Sequence, residues 1–84
     1  MNKYSVEIGA PGVHLTFLVE ADSIGEAEDK GIAAALEEGT ELFSIFFGDD
    51  AAEVAQGALN VGISERVEVF EIGKDGSQTS VFVR

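Results

Sequence analysis

Two stretches near the N-terminus alternate apolar and polar residues with a period of two, and they constrain the fold more than any other part of the chain. In the first, Tyr4, Val6 and Ile8 share one side while Lys3, Ser5 and Glu7 share the other. In the second, Val13, Leu15, Phe17 and Val19 face one way and His14, Thr16, Leu18 and Glu20 the other. Successive side chains of an extended chain point to opposite faces, so this pattern marks strands with one buried face. Between them stands Ala10-Pro11-Gly12-Val13. Proline presets φ and glycine accepts a positive φ, which predicts a type II turn closing a hairpin.

The period then lengthens. Ser23 followed three residues later by Glu26 is a capping-box signature for a helix start. Ile24, Ala27, Ile32, Ala34, Ala35 and Leu36 cover a broad apolar side, with Glu26, Asp29, Lys30 and Glu37 opposite. Glu28 falls inside the apolar side as its one misfit. Gly39 is the expected C′ residue. Leu42-Phe43-Ser44-Ile45-Phe46-Phe47 follows, a short apolar run holding three of the six Phe residues. Its length and aromatic content predict a strand buried on both faces; the alternative for 41–47 is a continuation of the helix before it.

Asp49 or Asp50 is the expected cap of a second helix, whose stripe is Ala51, Val54, Ala55, Ala58 and Leu59. Asn60 and Gly62 mark its expected end. Residues 66–72 and 78–83 predict a closing hairpin around Gly73-Lys74-Asp75-Gly76. Turning Val67, Val69, Val81 and Val83 to the core leaves Phe70, Ile72 and Phe82 on the other side. Either a bulge shifts the register or the outer sheet face is partly apolar. The expected order is β-β-α-β-α-β-β: one α+β domain over 1–84, an antiparallel β-sheet with two helices packed on one face.

Charge is segregated along this framework. Eleven of the sixteen acidic residues lie between Glu20 and Glu53 with a single base, Lys30, so that stretch carries −10 of the chain's net −11. Segregated charge makes a directional field, and a field selects partners. Nucleic acid and anionic membranes are repelled; basic protein surfaces are attracted. With no Cys there is no disulfide framework, thiolate nucleophile or zinc–thiolate site. The N-terminal residues lack the apolar core of a signal peptide, and no apolar run nears the roughly 20 residues that span a bilayer. A cytoplasmic location is the expectation.

Chemistry-bearing patterns are sparse. Asp49, Asp50 and Glu53 stand close in sequence, but without the loop spacing of a calcium site they are expected to serve the helix start rather than a metal. His14, the one histidine, has no nominated nucleophile and is expected to be an ordinary exposed strand residue. The glycines form no phosphate-cradling fingerprint, and no nucleophile, base and orienting group occur together. The chain is therefore expected to be non-enzymatic, with no cofactor and no metal. The acids lack the interspersed bases of an ordinary solvated face, which nominates Glu26, Asp29, Glu37, Glu38, Glu41, Asp49, Asp50 and Glu53 as partner-binding residues. Phe47 and Leu18 are candidate exposed anchors.

Small size, absence of Cys, strong acidity and a β-β-α opening are shared with many small phage-encoded anti-defence proteins, anti-CRISPR proteins among them. The stretch Val19-Glu20-Ala21-Asp22-Ser23-Ile24-Gly25-Glu26-Ala27 resembles the strand-to-helix junction of several of these. The resemblance is one of size, charge and architecture and carries over no functional residues. It implies an inhibitor that binds a host nuclease or surveillance complex and blocks its nucleic-acid channel. The competing expectation is a phage structural or accessory subunit that forms a homodimer through an apolar sheet face built from Leu18, Phe70, Ile72 and Phe82.

Overall fold

The structure, a computed structural model, describes residues 1–10 and 13–84, without the side chains of Ala10, Val13 and His14. The expected type II turn and the expected exposure of His14 lie outside the described residues. Strands β1 (Asn2–Ala10) and β2 (Val13–Ala21) form the first hairpin. Helix α1 (Ile24–Phe47), a 3-10 turn (Gly48–Asp50) and helix α2 (Ala51–Glu65) follow, and β3 (Val67–Ile72) and β4 (Gln78–Val83) close the chain. The strands make one antiparallel sheet in the order β2-β1-β3-β4. The α+β class and the antiparallel sheet with helices on one face are those read from the sequence.

Register decides which residues meet. Val6 lies opposite Phe17 and Val69, and Ile8 opposite Leu15 and Val67, so these residues share the helix-facing side. Tyr4, Val6, Ile8, Val67 and Val69 are buried there with Ala21, Ala27, Ala35 and Leu59. Along α1 the buried residues are Ala27, Gly31 and Ala35, four apart and all small. Such a stripe lets the helix axis come down onto the strands: a Cβ built on Gly31 would stand 2.6 Å from Val6 Cβ. Ser23 caps the helix as expected, its Oγ accepting from the Glu26 N–H at 3.2 Å. The Glu26 carboxylate turns instead to Lys30, 3.1 Å away and one turn on.

The run 42–47 is not a strand. It is the last part of α1, which continues unbroken through Gly39 to Phe47 and ends at Gly48 with φ 52°. Leu42/Phe46 and Phe43/Phe47 are i,i+4 pairs, and the second makes an edge contact at 5.9 Å. Gly39 ends nothing; a Cβ there would sit 3.4 Å from Ala55 Cβ, so this glycine belongs to the α1–α2 contact. Asp50 occupies the cap position of α2 but its side chain makes no capping bond: its backbone is helical, at φ −88° and ψ −2°, where a capping residue is extended. Helix α2 also outlasts its expected stop at Asn60–Gly62 by three residues, to Glu65.

Both consequences foreseen for the last hairpin occur together. A register shift between Val69 and Phe70 pairs Val69 with Phe82 but Phe70 with Ser80. The extra residue, Val81, is taken up as a bulge. Phe82 therefore joins Val69 on the helix side, against its expected outer placement, and Val83 comes to the open face beside Glu68. Leu18, Phe70 and Ile72 share that open face through their pairing with Ser5 and Lys3. Glu28, the misfit, stays at a half-buried position and meets Arg84 Nε at 3.4 Å; its Oε2 is buried without a hydrogen bond.

Glu68 is buried on the open face, where it accepts from Ser80 Oγ at 2.7 Å and pairs with Arg66. The Ser80 hydrogen bond and then that from Arg66 hold its carboxyl below the ordinary range, outweighing the opposite push of desolvation. A depressed folded-state pKa stabilises the fold above the unfolded-state value, and that stabilisation is lost as pH falls through the folded-state value. Glu68→Gln will thus melt below the parent at neutral pH, and the gap will narrow as pH is taken below the ordinary carboxylate value of about 4. Thermal melts of both proteins across that range measure it; a gap constant with pH counts against the ionised pair.

Candidate interaction surface

Helix α1 is about 36 Å long at about 1.5 Å per residue, and its burial stops at Ala35. The remaining turns, with the 3-10 turn and the start of α2, form a helical hairpin. Two features meet on it.

The first is acidic. Glu37, Glu38 and Glu41 are exposed and gather with Ala34 around one shallow depression on the outer side of α1. A neighbouring depression is lined by Glu38, Glu41, Leu42 and Ile45. The other nominated acids do not join them. Glu26 is tied to Lys30, whose Nζ also donates to Glu20 O at 2.7 Å. Asp29 is exposed, but it and Glu26 lie about 12 and 16 Å back along the helix from Glu37 at about 1.5 Å per residue. Asp49 and Asp50 are exposed on the 3-10 turn, and Glu53 lies in the first turn of α2.

These groups have different local accounts. Asp49, Asp50 and Glu53 stand at the N-terminus of α2, where the helix dipole favours negative charge. Glu37, Glu38 and Glu41 stand in the C-terminal half of α1, where the dipole gives them nothing and the last turn carries no base. Their mutual repulsion has no local compensation among the described contacts.

The second feature is apolar. A groove of about 430 Å³ runs along the hairpin where it leaves the sheet. Gly39, Leu42 and Phe43 line it from α1, Ala58, Val61 and Gly62 from α2, and Ile8 and Leu15 from the sheet. Glu65 stands at its edge. Around it Leu42 is 60% exposed, Val61 63% and Leu15 55%, and beyond it Ile45 and Phe46 are each 77% exposed. Leu42 belongs to both the groove and the acidic depression beside it. Of the two anchors read from the sequence, Phe47 is exposed at this end and Leu18 on the far side of the sheet. Leu42, Ile45, Phe46 and Leu15 are exposed against the sequence expectation, which places the first three in a buried strand and the last on a buried strand face. The i,i+3 and i,i+4 spacing of Leu42, Ile45 and Phe46 carried the helical signal.

Among the described residues no base lines the groove or either depression. Lys30, Arg66 and Arg84 are paired with Glu26, Glu68 and Glu28. Lys74 sits in the β3–β4 turn, and Lys3 pairs in register with Glu20 and Ile72. Among the described residues no three His, Asp or Glu side chains draw together as metal ligands, and no helix is long and apolar enough to cross a membrane. No protein family, curated protein or solved structure matches the chain.

Proposed function

We propose that this protein is a non-enzymatic acidic binding protein that occupies a basic, nucleic-acid-binding surface of another protein, as an anti-CRISPR-like inhibitor or DNA mimic would. The observation that carries this is the exposed, uncompensated cluster of Glu37, Glu38 and Glu41 on a rigid helix. Glu37 to Glu41 climbs about 6 Å along the axis, so three negative charges stand within little more than one helical turn. Such complementarity raises the association rate and sets specificity. The protein would act in the cytoplasm of the cell whose defence it blocks.

The test is affinity capture from a bacterial host lysate with elution by duplex DNA, comparing the parent with the variant carrying Glu37→Lys, Glu38→Lys and Glu41→Lys. The parent is expected to retain proteins that DNA displaces, and the folded variant to retain none of them. An unchanged set of captured proteins would sink the proposal.

A second reading has its own observation. The open sheet face carries Leu18, 74% exposed, and Val83, 54% exposed, beside the half-buried Phe70 and Ile72. A homodimer stacked on that face would bury them. Light scattering over a dilution series decides it, since a constant monomer mass removes this reading.

A further inference from the structure

We infer that the groove along the α1–α2 hairpin is a docking site for a basic amphipathic helix of the partner protein. This rests on the acidic-surface proposal and gives the partner a shape. The groove supplies what charge alone lacks, an apolar seat in which Leu42 and Val61 are open to solvent. Its floor lies between helices, and a third helix fills such a trough with side chains spaced i, i+3, i+4 and i+7.

The rim fixes the sign of the occupant's charge. Glu65 edges the groove, and Glu38 and Glu41 flank Leu42 on its outer side, with no base among the described residues that line the groove. A helix with aliphatic residues on one face and Lys or Arg on its flanks satisfies both parts at once. A second copy of this chain does not: at net −11 each, two copies would set acidic rim against acidic rim. An anionic lipid surface meets the same repulsion.

The probe is a synthetic peptide of about four helical turns with Leu on one face and Lys on the other, titrated into isotope-labelled protein. Its control keeps every Lys and replaces Leu by Ser. The Leu/Lys peptide is expected to bind at low salt and to shift the amide signals of Gly39, Ala58 and Gly62. Joint Leu42→Gln and Val61→Gln, both at exposed positions, should weaken it by about tenfold or more, the loss of one good anchor or two modest ones. The control peptide should bind far more weakly.

The outcomes separate the groove from the charge. Equal binding of both peptides, lost on reversing Glu37, Glu38 and Glu41, overturns the groove inference and leaves the acidic surface standing. Groove-dependent binding that ignores salt and the Glu38→Gln, Glu41→Gln pair overturns the basic character of the occupant and so this inference, while the acidic-surface proposal stands or falls on the capture experiment. A dimer in sedimentation that Leu42→Gln and Val61→Gln dissolve makes a second copy the occupant and overturns the inference.

Discussion

Gly31→Ala will destabilise the protein although alanine is the better helix former. In an open helix the exchange gains about 1 kcal/mol. Here the new methyl would stand 2.6 Å from Val6 Cβ and Cγ1 and 2.8 Å from Cγ2. Val6 is fully buried, its Cβ is fixed to the strand backbone, and no rotamer removes it. Helix and sheet must move apart, and overpacking of this kind costs about 1–3 kcal/mol. The contact is at the severe end, so a net loss of about 1–2 kcal/mol is expected, with a fall of about 4–8 °C in Tm per kcal/mol for a domain this size. Gly25→Ala and Gly57→Ala are the controls: nothing lies within 4 Å of a Cβ at either, so both should hold or gain stability. Val6→Ala should also cost less in the Gly31→Ala background than in the parent, because the two residues share one contact. Urea melts of the set measure all three; a Gly31→Ala protein as stable as Gly57→Ala would mean that α1 does not rest on Val6.

The second large effect is an inversion of the usual rank of side chains. Val69→Ala should cost about 2–3 kcal/mol, from lost transfer energy and an unfilled cavity in a rigid sheet, since Val69 is fully buried between Val6 and Phe82 in the sheet register. Phe46→Ala removes a much larger side chain and should change stability by no more than about 0.5 kcal/mol, since Phe46 is 77% exposed. Were 42–47 the buried strand that its composition predicts, Phe46→Ala would cost about 3–5 kcal/mol. Chemical denaturation of the two single variants separates the arrangements by a wide margin.

The contrast shows where sequence was legible. Both strand hairpins, the Ser23 cap and the stripe of α2 are local patterns, fixed by neighbours a few residues away, and the bulge of the last hairpin is one of the two readings that its alternation allows. The run 42–47 is different. Its residues suit a buried strand or a helix equally, and what decides is whether the sheet reaches far enough to cover them. It does not, since burial along α1 stops at Ala35. Gly39 misled for a related reason. A glycine that ends a helix and one that lets two helices touch look alike in sequence, and only the position of Ala55 tells them apart. The acidic residues were legible as a set but not as a site. Pairing with Lys30 and the start of α2 account for Glu26, Asp49, Asp50 and Glu53, and the helix carries Asp29 away from Glu37. Three carboxylates gather beside an apolar groove that no charge count could reveal.

The sheet order has a consequence for how the chain folds. β1–β2, α1–α2 and β3–β4 are three consecutive hairpins, each closed by contacts near in sequence. β1 and β3 alone join the two ends of the chain, through pairs such as Val6 with Val69. Closing that loop of about sixty residues costs about 4 kcal/mol of chain entropy, and the cost falls if the helical hairpin has already drawn the ends together. The β1–β3 seam is therefore expected to be the slow, cooperative step that turns three local hairpins into one folding unit. Substitutions at Val6 and Val69 should thus slow refolding in stopped-flow measurements more than substitutions in the β3–β4 turn.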